Sequence, residues 1–157
     1  NSHYIQTIDL NRLTNLIIPY LKDAGLIKAG VSEKKFAVLK QMIAAIRGNL
    51  KRLDASVQYM KIFLEDTLTI NDIDGALKED YVKGLFKKAA DAVLTIDKLD
   101  KESVKKIFLD VQSELHITGR RFYLPLRLAL TGMAEGPELI DIIPLIGRDK
   151  ILMRLEN

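Results

Sequence analysis

Apolar residues recur at three- and four-residue spacing along almost the whole chain, and no alternating pattern longer than a few residues interrupts them. A repeat near 3.6 residues lines such side chains along one helix face, so the chain is restricted to packed helices. Asp9 stands at the N-cap of a helix carrying Leu10, Leu13, Ile17, Tyr20 and Leu21 on one side, with a bend expected at Pro19 and an end at Gly25. Ser32 caps a second, with Phe36, Leu39, Met42, Ile43 and Ile46 aligned and Gly48 placed to interrupt it; Leu53, Val57, Met60 and Leu64 mark a third. Leu77, Tyr81, Leu85, Ala89 and Val93 form the next stripe, and Val104, Ile107, Phe108, Val111 and Leu115 another. The last forty residues differ, because FYLPLRLALTG and PELIDIIPLIG are apolar almost all round, which requires burial on most faces. Pro137 is expected in a first helical turn there, with Gly132 and Gly147 at helix ends. The predicted fold class is all-α, in two helical sub-domains: a three-helix unit followed by a helical cage of short and medium helices.

Charge places the boundary between them. From Lys28 to Lys61 eight Lys or Arg stand against Glu33 and Asp54, a net of +6; from Ile62 to Tyr81 six acids stand against Lys78 alone, a net of −5. That reversal predicts a junction near Asp66 to Asp74 and sub-domains over 1–68 and 69–157. Each charge run by itself is equally the solvated face of a helix. The net charge of +3 over 157 residues permits an anionic partner without requiring one. With no Cys and only His3 and His116, disulfides, thiolate zinc sites, cysteine nucleophiles and a helical His pair for metal are excluded. No apolar run approaches eighteen residues, and NSHYIQTIDL lacks the basic then apolar layout of a signal peptide, so the expectation is no membrane span and a cytoplasmic location.

Templates for catalysis are missing as well: no Walker loop, dinucleotide fingerprint, GxSxG elbow or helical His-Glu-His site is present. Asp72, Asp74, Glu79 and Asp80 have no apolar pocket sequence around them and are read as caps and joints. No catalytic, cofactor-binding or metal-binding residue is therefore assigned. The positive signals are arginines. Arg127 lies between Leu126 and Leu128, where an unpaired guanidinium is costly to bury, so it either pairs with Asp141 or Glu138 or faces a ligand groove. Arg120 and Arg121 precede it, and a planar guanidinium suits phosphate and base contacts. On the residues alone two readings stand level: an RNA-binding module, and a helical protein-protein interaction module whose apolar stripes form grooves for a partner.

The segment FYLPLRLALTGMAEGPELIDIIPLIGRDKILMRLE resembles the C-terminal region of bacterial-type glutamyl-tRNA synthetases, whose pattern runs PLRxALTG, a short linker, GPELFDI, LLG and LxRL. The match spans Leu124 to Leu155 with the same internal spacing. HYI followed by PYLKDAG, between His3 and Gly25, is similar to the start of that family's anticodon-binding half, and Leu26 to Thr118 matches in helical layout. The resemblance implies an anticodon-binding region that binds tRNA, expected as a monomer. It implies no cofactor in this stretch, the ATP- and Mg-dependent catalytic domain that attaches glutamate lying before Asn1. HITG at His116 to Gly119 lacks the second His of the HIGH motif of that domain and follows a helical pattern. By position, Arg127 matches the Arg of PLRxALTG, implicated in holding anticodon bases, and Gly136, Pro137 and Leu139 match the turn that contacts them; the start of the helix there offers free amides.

One departure bears on specificity. Discriminating members of the family carry an Arg just after the second helix of the first sub-domain, which favours the third anticodon base of glutamate tRNA over that of glutamine tRNA. Asn49 aligns there, with Arg47 as the alternative because Gly48 leaves the local register open. Asn49 at that position implies relaxed reading, with glutamine tRNA accepted beside glutamate tRNA, since an amide cannot supply the same charged contact.

Overall fold

The computed structural model describes residues 2–156; Asn1 and Asn157, the outer limits of the two expected ranges, lie outside the described residues. All regular structure among the described residues is helical, with no strand, as the periodicity requires. No helix among them is long and apolar enough to cross a membrane. The chain divides into two units, Asn1–Asp66 and Thr67–Asn157.

The first unit holds α1 (Ser2–Thr7), α2 (Leu10–Asp23), α3 (Glu33–Ile46) and α4 (Ser56–Leu64), with short 3-10 turns at Arg47–Asn49 and Leu53–Ala55. The Asp9 carboxylate accepts the Arg12 amide at 3.2 Å and the Ser32 hydroxyl oxygen accepts the Lys35 amide at 3.1 Å, so both predicted N-caps start their helices. α2 runs through Pro19 to Asp23. α2, α3 and α4 pack on one another around Leu13, Ile17, Leu21, Leu39, Ile43 and Met60, all without solvent exposure. Each such side chain contributes roughly 1.5–3 kcal/mol on burial. α1 was not legible as a stripe because six residues hold less than two turns; it is fixed by Ile5, 1 % exposed, and by contacts to the turn after α3.

The second unit contains α5 (Val82–Thr95), α6 (Lys101–Leu115), α7 (Arg120–Thr131), α8 (Leu139–Ile146) and α9 (Arg148–Glu156). α9 packs against α5, α7 and α8, and α6 lies between α5 and α8. Two sequence expectations change here. Leu77 and Tyr81 do not extend the α5 stripe, because both Asp72 carboxylate oxygens accept amides, from Ala76 at 2.8 Å and Leu77 at 2.9 Å. They hold a separate 3-10 turn that breaks at the extended Glu79. Pro137 is not in the first turn of α8: Glu138 is the extended N-cap and its carbonyl takes the first helical hydrogen bonds, while the Pro137 carbonyl is turned away to Arg127.

α6 begins with a reciprocal capping box. The Asp100 carboxylate accepts the Ser103 amide at 2.8 Å, and the Ser103 hydroxyl oxygen accepts the Asp100 amide at 2.9 Å, which holds the Asp100 carboxyl below its usual pKa. The same helix ends on His116, exposed and in the left-handed region at φ 55°, ψ 41°. A side chain there costs about 1–2 kcal/mol, partly offset by the unfolded-state entropy of a glycine. His116→Gly is therefore expected to raise stability by about 0.5–1 kcal/mol in urea unfolding, and a variant less stable than the parent would contradict the cap assignment.

Candidate nucleic-acid interface

Within the second unit the middle of α6, the first two turns of α7 and the start of α8 surround an open pocket of ≈ 310 Å³. α7 places Tyr123 and Arg127 in it, one turn apart on one face. Tyr123 is 40 % exposed, and its ring is held edge-on by Phe122 at 4.9 Å and Phe108 at 5.9 Å, which are themselves 5.3 Å apart. Those T-shaped contacts fix the ring with one side toward solvent.

Arg127 is half-buried and donates from Nη1 to the Pro137 carbonyl at 2.7 Å. Neither expected carboxylate is an ion-pair partner: Asp141 is 3.1 Å from Lys101 Nζ, and Glu138 influences Arg127 through its charge without an ion pair. Burial draws the guanidinium below the usual arginine pKa and Glu138 opposes that, so the group stays charged at neutral pH. Its other N–H groups have no protein acceptor among the described residues. At the mouth of α8 the Asp141 and Ile142 amides donate to the Glu138 carbonyl at 3.0 and 3.2 Å, whereas the Leu139 and Ile140 amides, beside the pocket, are first-turn donors outside the helical ladder.

The other predicted residues fall in distinct places. Gly136 and the buried Pro137 lead into α8, and Leu139 is 2 % exposed, so it offers its amide and not its side chain. Arg120 and Arg121, at the start of α7, line a separate site with Tyr81 and Pro125. There the Arg121 guanidinium lies 4.5 Å over the Tyr81 ring, the Tyr81 hydroxyl donates to the Arg121 carbonyl at 2.7 Å, and Arg120 is 4.0 Å from Asp74. In the first unit, Arg47 is committed to the end of α1, donating from Nε to the Ile5 carbonyl at 2.9 Å and from Nη2 to that of Ile8. Asn49, two residues on, is part-exposed and its side chain has no hydrogen bond among the described residues. Six of the eight basic residues between Lys28 and Lys61 are exposed.

Sequence reasoning missed Tyr123, Gln112 and Leu109 as pocket residues. Tyr123 carried a signal, its four-residue spacing from Arg127; the α6 pair carried none, since only the packing of α6 beside α8 and the ring contact to Tyr123 bring them in.

The sequence pattern of the family described as "Anticodon binding domain" matches residues 12–157. A glutamate–tRNA ligase of Caldicellulosiruptor saccharolyticus is 34 % identical over 99 % of this chain and 33 % of its own length, and one of Desulforamulus reducens gives the same values. The chain thus spans about a third of the length of these relatives. The crystal structure of a glutamate tRNA ligase from Elizabethkingia meningosepticum, in complex with its amino acid, superposes with a TM-score of 0.80 at 18 % identity. It covers 99 % of this chain and 30 % of that one, a likeness of fold. With all but its first eleven residues inside the family pattern, the chain belongs to the anticodon binding domain family.

Proposed function

We propose that the chain recognises a tRNA anticodon as the anticodon-binding part of a longer glutamate–tRNA ligase, a monomeric cytoplasmic enzyme whose ATP- and Mg-dependent chemistry resides in other segments. Both units, over about the ranges 1–68 and 69–157, take part. RNA sequence is read chiefly where bases are unstacked, laid on aromatic or guanidinium planes and hydrogen-bonded along their edges. The observation that carries the reading is Arg127, oriented by the Pro137 carbonyl with its remaining donors free beside the exposed Tyr123 ring and the first amides of α8. The ring offers stacking; the guanidinium and amides offer donors to base oxygens and nitrogens. Arg120 and Arg121 supply phosphate contacts from the start of α7. The protein-interaction alternative is not favoured, because a cluster of charged and amide donors is poorly matched to an apolar helix face.

Asn49, not Arg47, is the residue available to the third anticodon base, since Arg47 is held by α1. Stem-loop RNAs bearing glutamate, glutamine and unrelated anticodons, titrated against the chain, test both statements. The two cognate loops are expected to bind within about threefold of each other and well above the third. Asn49→Arg is expected to shift preference toward the glutamate loop by about tenfold, the scale of one charged hydrogen bond. Equal binding of all three loops would end the anticodon reading, and a strong glutamate preference in the parent chain would end the relaxed one.

A further inference from the structure

The α6 side of the Arg127 pocket has no part in the function proposed above. Leu109 is 68 % exposed and stands off the buried stripe of Val104, Ile107, Phe108 and Val111, yet it lines the same pocket as Tyr123 and Arg127. Gln112, three residues on along the same helix edge, donates from Nε2 to the Phe108 carbonyl at 3.1 Å, which orients the amide and leaves its Oε1 as an acceptor. Arg127 and the α8 amides are donors only. A nucleobase edge, however, carries donors as well as acceptors, so these donors answer only part of it, and the Glu138 carboxylate on the same pocket is a charged acceptor that acts on Arg127. Gln112 supplies a neutral acceptor, and Leu109 supplies an aliphatic surface for the base face that a single aromatic ring leaves uncovered.

We propose that α6 forms the second wall of a slot for one unstacked anticodon base, with Leu109 packing on the base face and Gln112 accepting an N–H from the base edge. This rests on the anticodon reading and adds two specificity-determining residues to it. The slot discriminates by its mixed edge: a base presenting only acceptors toward Gln112 leaves two lone pairs opposed, and one presenting an amino or imino N–H is retained.

The test uses the full chain and a fluorescent anticodon stem-loop, intact or with each anticodon base in turn made abasic. Leu109→Ala and Gln112→Leu are each expected to weaken binding of the intact loop by about two- to tenfold, the range of one neutral hydrogen bond or a partial stacking contact. Both effects should vanish on a single abasic RNA, the same one on which Arg127→Ala has no effect. Parental affinity in both α6 variants while Arg127→Ala is weakened would overturn the slot and leave the anticodon reading standing. Silence of Arg127→Ala on every RNA would overturn both. A loss that persists on all abasic loops, or that vanishes at a different base from that of Arg127, also overturns the slot, since it reports folding or a separate contact.

Discussion

Gly132→Ala is expected to destabilise the chain by about 3–5 kcal/mol, a large fraction of the 5–15 kcal/mol typical of a folded domain. Gly132 ends α7 at φ 78°, in the left-handed region. A Cβ placed there would stand 2.4 Å from the Thr69 carbonyl oxygen and 3.4 Å from its carbon. Because the nearest atoms are backbone, no side-chain rotation relieves the clash, and the segment carrying Thr69 must move. That movement also breaks the hydrogen bond from the Asn71 amide to the Gly132 carbonyl, 3.0 Å long. Three costs therefore add: the strained dihedral, the overpacking and one lost hydrogen bond. For a chain of this size the melting temperature should fall by roughly 6–20 °C. Calorimetry checks it, and a melting point within about 2 °C of the parent would show that the contact to Thr69 is not maintained in solution.

The legible parts of the fold were the local ones. Asp9 and Ser32 announced α2 and α3 because a capping side chain bonds an amide two or three residues away, within the reach of a sequence pattern. The stripes of α3 and α6 were legible because burial at Leu39, Ile43, Val104 and Ile107 follows the helical period. What was not legible depends on distant backbone. Arg127 was expected either against Asp141 or Glu138 or in a groove; its partner is a carbonyl, which every residue possesses and which leaves no mark in the sequence. Arg47 likewise is held by two carbonyls, that of Ile5 in α1 and that of Ile8 just past its end, and α1 is a helix too short to show a period. Leu109 and Gln112 lie off the α6 stripe and carry no mark in the sequence; only the packing of α7 and α8 beside α6 brings them to the pocket.

Arg127→Ala is expected to weaken binding of the cognate anticodon stem-loop by about ten- to a hundredfold, since a hydrogen bond to a charged group is worth about 1.5–3 kcal/mol. The fold should tolerate the change. The guanidinium is half-buried and makes one bond to the protein, to the part-buried Pro137 carbonyl, so its loss costs about 1–3 kcal/mol, less than the stability typical of a folded domain. Arg127→Lys should recover little of the affinity, because an ammonium restores the charge but neither the planar fork nor the stacking surface. A charge acting only on the RNA backbone would behave differently: lysine would substitute well, and the loss would be the same whatever bases the loop carries.

The decisive measurement is the affinity of the parent chain, Arg127→Ala and Arg127→Lys for the cognate stem-loop and for the same loop with all three anticodon bases made abasic, at one salt concentration. The account predicts a loss of about ten- to a hundredfold for both variants on the intact loop and equal binding by all three proteins on the abasic loop. A loss of equal size on both loops, or full rescue by lysine, would contradict it, because Arg127 would then be meeting phosphate and reading no base.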